Sequence, residues 1–425
     1  MRLSNVGLAD GSRVDIEIKG NQITAVEPAS KKGDLDLLGK LALPGFVDLH
    51  THLREPGFES SETVLTGSRA AASGGYTAVF AMANTQPVAD NAGVVTQVHE
   101  LGERAGLVEV RPIGAITKNL EGKELAALGG MRNSKAAVRM FSDDGHCVSD
   151  AALMKTAMEY LKPLGGIIAQ HAQEPMLTIG SQINEGDISR ITGLKGWPAS
   201  AEESIILRDA LLSEQTGCPL HICHVTTKLG VELIAWAKQR GFPVTAEVTP
   251  HHLMLTELSA SEYDTRFKVN PPLRTKADAM ALREGLIEGT IDVIGTDHAP
   301  HSHDLKDQDW ESAAFGMTGL EQAYQVAHKV LIESGDSDWK RLQEVMSVKP
   351  AEIGGLTNQG SLEIGSEANI VIVDPNKEVL VEGNRFSKSS NNPYIGMSFS
   401  SAVAHTIYQG EFSYKSYEVV SFPGR

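Results

Sequence analysis

The residues with the clearest chemical potential are His50 and His52, in the run LALPGFVDLHTH. Alternate residues of an extended strand share a face, so both imidazoles can reach one ion. The spacing alone is weak: fourteen histidines in 425 residues give roughly half a His-x-His by chance, and His301-Ser302-His303 is a second one. Position adds weight, because the pair closes an apolar run and other apolar runs also end in polar residues. Asn84, Asp143 with Asp144, His171, His224, His251 with His252, and Asp297 with His298 all sit at such ends. A lone His there is more often a hydrogen-bonded structural residue, whereas the set together describes a metal centre.

Four histidines and Asp297 exceed the roughly three protein ligands of a catalytic zinc. Two ions suit them better, and ions ~3.5–4 Å apart need an anionic bridge. Asp143-Asp144 offers a carboxylate for it, although spacing does not say which of the two faces inward, and the pair could instead cap a turn before Gly145. Asp297, in IGTDHAP, would be a buried carboxylate that needs a cation or hydrogen bonds to compensate it. Arg54 lies two residues past His52 and has the fork geometry for a carboxylate, with an ion pair to Glu55 or Glu59 as the competing reading. Asn84 and Asn270 are neutral hydrogen-bonding groups near the same mouth, and Asn270 before Pro271-Pro272 also suits a turn. His251, His252 and His303 read as supporting or structural residues.

These side chains need a scaffold that gathers strand ends. Eight buried apolar runs alternate with amphipathic segments: 41–50, 76–84, 108–115, 136–144, 165–172, 218–225, 242–252 and 291–300. Helices are expected over 61–73, 91–104, 149–162, 199–216, 226–240 and 276–288, with another after Gly319. This predicts an α/β fold, a (β/α)8 TIM-type barrel, whose carboxyl strand ends converge on one mouth. The first 40 residues and the stretch after about 355 are short strand-like pieces instead. The expected division is a composite β-domain from 1–43 and 355–425 beside a barrel over 44–354. The stretch 386–396, FSKSSNNPYIG, reads as an exposed loop.

Composition narrows the function classes. Lys+Arg 38 against Asp+Glu 54 gives a net charge of −16, which disfavours nucleic acid or an anionic membrane as partner. Cys147, Cys218 and Cys223 form no C-x-x-C, so a reducing compartment is expected. The polar N-terminus and the lack of a long apolar run predict a cytoplasmic protein without signal peptide or membrane helix.

Nine ordered motifs carry a resemblance: PGFVDLHTHLREPG, MANTQP, FSDDG, QHAQE, ICHVTT, EVTPHHL, KVNPPLR, IGTDHAPHSHDLK and FGMTGLE. Together they resemble the cyclic amidohydrolase superfamily, and within it the class I dihydroorotases of bacterial type, over essentially the whole chain. The resemblance implies two Zn2+ per subunit, one held by His50, His52 and Asp297 and the other by His171 and His224, with Asp144 as the bridge. It implies that Asp297 is the catalytic acid/base, that Arg54, Asn84 and His301 bind the substrate carboxylate, and that Asn270 and the Phe315-Gly316 backbone contact the ring. It further implies reversible hydrolysis of L-dihydroorotate to N-carbamoyl-L-aspartate in pyrimidine biosynthesis, a homodimer, and association with aspartate transcarbamoylase.

Two features depart from the wider pattern. Many amidohydrolases bridge their metals with a carboxylated lysine at the end of strand four, where this chain has Phe141-Ser142-Asp143-Asp144. That favours the class I pattern over dihydropyrimidinase, hydantoinase or allantoinase. The loop 302–315 carries Asp304-Leu305-Lys306 and Ala313-Ala314 where related sequences tend to be more acidic and to place a proline. Two competing readings remain: a mononuclear deaminase, since His171-Ala172-Gln173-Glu174 fits a His-Ala-x-Glu pattern, and a non-catalytic assembly partner that would have lost metal ligands.

Overall fold

The computed structural model describes residues 1–30, 33–416 and 418–420. The remaining positions of the expected terminal unit, 31, 32, 417 and 421–425, lie outside the described residues. The chain is an α/β fold with a separate sheet built from its two ends. Among the described residues that sheet has nine strands, and its junction is the strand Leu41–Pro44, which pairs antiparallel with Ile370–Asp374. Arg2–Gly7, Arg13–Lys19 and Gln22–Pro28 extend it on one side, and Ala402–Tyr408, Glu411–Lys415 and Glu418–Val419 on the other. Its own apolar core includes Leu3, Ile16, Ile18, Ile23, Ile370, Ile372 and Ile407.

The strands of the central region are parallel. Phe46–Thr51, Tyr76–Ala81 and Glu109–Pro112 form one sheet. Met140–Phe141, Ile167–Gln170, Leu220–Ile222, Val244–Val248 and Val293–Ile294 form the other. Parallel bridges Gly114↔Phe141 and Thr51↔His298 link the two sheets at both edges, so the pairing passes through all eight strands. One core cluster gathers Val47, Leu49, Phe80, Ile113, Met140, Ala169, Cys223 and Val293. Alternate residues such as Val79, Val110, Phe141, Ile168, Ile222 and Ala246 pack instead in the cluster that holds the helices. Each strand is therefore covered on both faces, as parallel strands require.

The expected helices form within a few residues of their boundaries: Val64–Ser73, Ala92–Ala105, Ala151–Leu161, Ser200–Thr216, Lys228–Gln239 and Lys276–Glu288. Their starts carry the chemistry expected of helix caps. Thr63 with Thr66 and Thr275 with Asp278 make reciprocal capping boxes, and the Asn91 side chain accepts from the Gly93 and Val94 N–H groups. The helix after Gly319 begins as Ala323–Ala327 and widens to a π-helix over His328–Glu333. No helix among the described residues is long and apolar enough to cross a membrane.

Two expectations are corrected. The run 41–50 is not one strand: Leu41–Pro44 belongs to the terminal sheet, and a new strand starts at Phe46. Gly45 makes the change of direction possible, because a Cβ there would overlap the Thr77 hydroxyl. The stretch 386–396 is not an exposed loop, since Ser389, Asn391, Asn392 and Tyr394 are buried. Apolar content is low there because the segment is held by polar contacts, such as Ser389 Oγ to Ser61 O at 2.6 Å.

Gly45→Ala should destabilise the protein by about 1–3 kcal/mol through this overlap. Urea unfolding checks it, and a midpoint equal to that of the parent would contradict the hinge role.

Candidate metal centre

The polar strand ends converge. His50, His52, His171 and His224 are buried around buried Asp144, and buried Asp297 lies against His50 and His52. Asp144 divides its carboxylate between two groups. Oδ2 faces His50 Nε2 at 3.5 Å and His52 Nε2 at 3.3 Å, while Oδ1 faces His171 Nδ1 and His224 Nε2, each at 3.3 Å. Asp297 Oδ1 closes the first group, 3.0 Å from His52 Nε2 and 3.4 Å from His50 Nε2. The structure thus separates the two adjacent acids. Asp143 is a loop anchor, accepting from the Ile116 and Thr117 N–H groups and from the Thr117 hydroxyl.

Local backbone irregularities aim these side chains. Between the pairs Asp48↔Val79 and Thr51↔Ala81 the first strand carries one extra residue, a β-bulge. Val47 and Leu49 pack in the enclosed core cluster, so the bulge lets His50 turn toward that side as well. His224 (φ 32°), Asp297 (φ 45°) and Arg54 (φ 61°) all adopt left-handed backbone conformations. Such conformations cost of order 1–3 kcal/mol each and persist only where the surroundings impose them.

Three of the four rings are oriented from behind. His50 Nδ1 meets Glu247 Oε1 at 2.5 Å, His52 Nδ1 meets Asn84 Oδ1 at 2.9 Å, and His171 Nε2 meets Gln173 Oε1 at 2.7 Å. These partners fix which nitrogen turns toward Asp144. Glu247 also accepts from the His224 N–H at 3.2 Å and faces His221 Nε2 at 3.1 Å. Glu247 and Gln173 escaped sequence reasoning. Glu247 was legible as a carboxylate inside an apolar strand, VTAEV, whereas Gln173 carried no signal beyond its nearness to His171.

The electrostatics favour a cation. Burial opposes ionisation of Asp144, yet His50, His171 and His224 hold its carboxyl well below the usual carboxylate range. Asp297 and Glu247 are likewise buried and likewise lowered by His50. Burial pushes His251 down to about 4, so that ring is neutral beside the centre. His50 Nε2 is buried and has no hydrogen-bond partner, an orphaned lone pair or proton aimed into the cluster. Imidazole and carboxylate donors in two groups, each within 4.8 Å internally, fit divalent metal.

The remaining candidates form an outer, half-buried ring. Arg54 does not pair with Glu55 or Glu59; its Nε donates to Pro300 O at 3.1 Å and its Nη2 lies 3.4 Å from His301 Nε2. Burial brings its guanidinium down to about 10 and, with Arg54 close by, brings His301 down to about 3, leaving a cation beside a neutral imidazole. Asn270 Nδ2 donates to Gln173 Oε1 at 2.9 Å, and Phe315 O meets His301 Nε2 at 2.7 Å. Asn84 meets His52 through its Oδ1, and its Nδ2 has no partner among the described residues. Gly316 has both its N–H and its carbonyl already bonded, to Lys268 O and to Lys306 and Asn391 respectively. His298 pairs with Glu62, and exposed His303 with Asp307. Glu174, which a deaminase would need at the site, caps the turn at Leu177 N–H instead.

Comparison with known proteins places this geometry in context. A model of the Dihydro-orotase-like family matches residues 39–230. A dihydroorotase of Leifsonia xyli is 55% identical, over 95% of this chain and 93% of its own length. Those of Streptomyces coelicolor and Mycobacterium tuberculosis are 53% and 47% identical, over 94% and 95% of this chain and 95% of their own lengths. Among solved structures, an L-hydantoinase from Arthrobacter aurescens superposes with a TM-score of 0.88 at 25% identity, covering 99% of this chain and 97% of its own. A dihydropyrimidinase from Brevibacillus agri gives 0.85 at 21% identity, covering 99% and 96%, a likeness of fold.

Glu247→Gln removes the charge behind His50 while keeping its shape. It should weaken metal retention by about 10–100-fold, as read by chelator competition. Unchanged retention would contradict the orienting role of Glu247.

Proposed function

We infer that this chain, which belongs to the dihydroorotase family, interconverts L-dihydroorotate and N-carbamoyl-L-aspartate, the cyclic-amide step of pyrimidine biosynthesis. The observation that carries the reading is the divided carboxylate of Asp144, set between two histidine pairs beside Arg54. All six candidate ligands are present and gathered, which weighs against a non-catalytic assembly partner.

In this reading His50, His52 and Asp297 would hold one zinc and His171 and His224 the other, with the Asp144 carboxylate available to both groups. When bound, the metals supply Lewis acidity, bringing the pKa of water toward neutrality and polarising the ring carbonyl. Asp297, poised at 3.0 Å from His52, accepts the proton of the attacking water and returns it to the leaving ring nitrogen. Arg54, Asn84 and His301 bind the substrate carboxylate. Asn270 and the Phe315-Gly316 backbone face the ring; with Gly316 saturated, the Phe315 N–H is the peptide donor there that has no partner among the described residues. In the biosynthetic direction the same groups close the ring.

The scaffold we propose is a (β/α)8 barrel over 44–354 with a composite β-domain from 1–43 and 355–425. The bridges Gly114↔Phe141 and Thr51↔His298 support closure of the strands into a ring. A cytoplasmic location, a homodimer and association with aspartate transcarbamoylase belong to the same reading through the family resemblance.

The deciding experiment is a spectrophotometric assay of dihydroorotate beside dihydrouracil and allantoin, with bound zinc counted. Turnover of dihydroorotate alone and two zinc per chain are expected; one zinc per chain would overturn the dinuclear reading. Arg54→Ala should raise KM for dihydroorotate roughly 10–100-fold, the value of a lost charge-assisted contact. Asp297→Asn should instead lower kcat by about 10²-fold or more. Similar kcat losses with unchanged KM in both variants would refute that division of roles.

A further inference from the structure

Two lysines are buried on the substrate side of the centre, and neither is used by the chemistry above. Lys268 and Lys306 are 1% and 5% exposed, and backbone carbonyls receive both ammonium groups. Lys306 Nζ donates to Lys268 O at 2.9 Å, to Ala314 O at 2.8 Å and to Gly316 O at 2.8 Å. Lys268 Nζ reaches back across the same gap, to Trp310 O at 2.5 Å and Glu311 O at 3.1 Å, and lies 4.3 Å from the centroid of the Phe315 ring. The backbone repeats the connection, with Gly316 N–H donating to Lys268 O at 2.9 Å. Burying an ammonium is costly unless its hydrogens are satisfied, and all three hydrogens of Lys306 have an acceptor.

The two segments so joined are the two that face the substrate ring in the proposed function. Lys268 lies two residues before Asn270, and Ala314 and Gly316 flank Phe315, whose carbonyl meets His301. Thr265 Oγ1, donating to Lys306 O at 2.8 Å, is a further tie between the loop 302–316 and the segment that leads to Asn270.

We propose that Lys306 is a positioning residue, clasping the Phe315-Gly316 backbone to the Asn270 stretch so that the two substrate-facing segments behave as one unit. It acts through these segments and not on the metals, so its loss should be felt in substrate binding rather than in metal retention. The inference rests on the dihydroorotase reading for its substrate, but the clasp is tested separately from it.

The test combines kinetics with hydrogen–deuterium exchange on the zinc-loaded full chain. Lys306→Met keeps length and removes the donors. It should raise KM for dihydroorotate at least tenfold, keep kcat within threefold and zinc content unchanged, and speed exchange in peptides spanning 265–270 and 302–316 together. Lys268→Met, which removes the return contacts, should move the same quantities in the same direction. In the parent enzyme, N-carbamoyl-L-aspartate should protect both peptides in parallel, a measurement that needs no variant to fold. Parent-like KM and exchange in Lys306→Met, or ligand protection of one segment without the other, would overturn the clasp. Failure of the parent enzyme to turn over dihydroorotate would overturn the assigned reaction instead, while the exchange comparison of unliganded parent and variant would still decide the clasp.

Discussion

The structure depends on keeping a cluster of imidazoles and carboxylates buried at one point. Asp144 is the keystone, because its two oxygens face the inward ring nitrogens of two different histidine pairs. Burying these groups is unfavourable unless each charge meets its complement, and the backbone pays in strain at His224 and Asp297 to make them meet. The eight strands supply the convergence, but the last ångström comes from irregularities: the bulge before His50 and left-handed residues at two strand ends. A second rank of fixed partners, Glu247, Asn84 and Gln173, orients the rings of His50, His52 and His171.

Charge works on two scales. The whole protein carries −16, yet its proposed substrate is an anion. The mouth resolves this locally: Arg54 is held beside a neutral His301, and within the centre the carboxylates are matched by imidazoles. Divalent metal would add further positive charge within the centre. A global acidic balance and a local anion site are therefore compatible, since exposed charges are screened over about 8–10 Å in physiological salt.

Much of the centre was legible in the sequence because a parallel strand makes its ends the only cheap place for polar groups. His50, His52, His171, His224 and Asp297 announce themselves by interrupting apolar runs. What stayed hidden has a common cause. Asp143 and Asp144 differ by which one finds the Ile116 and Thr117 N–H groups, a contact 26–27 residues away. The bulge that turns His50 is a property of pairing between strands, not of either strand's composition. Asn391 looked like loop polarity, yet its amide donates to Ala299 O and Gly316 O, and its Oδ1 accepts from His301 N–H. Polar residues in a tertiary clamp carry the same letters as polar residues in solvent, so only the fold distinguishes them.

The centre and its mouth are built by different means, and this separates what is fixed from what can vary. The six candidate ligands sit on or just after strands and are buried. The substrate side is assembled from loops joined over long sequence distances: Lys306 to the 268–270 stretch, Asn391 to residues 75–92 earlier, and Ser387 and Lys388 to Glu62. The C-terminal segment thus reaches over the mouth as well as completing the terminal sheet. A fold held in common with an L-hydantoinase at 25% identity requires only that the strand frame be kept. The loops above that frame are set instead by side chains donating to backbone carbonyls. Such contacts fix where a peptide group points without constraining which side chain it bears, so a loop can be rebuilt for another ring while the frame beneath it stays the same.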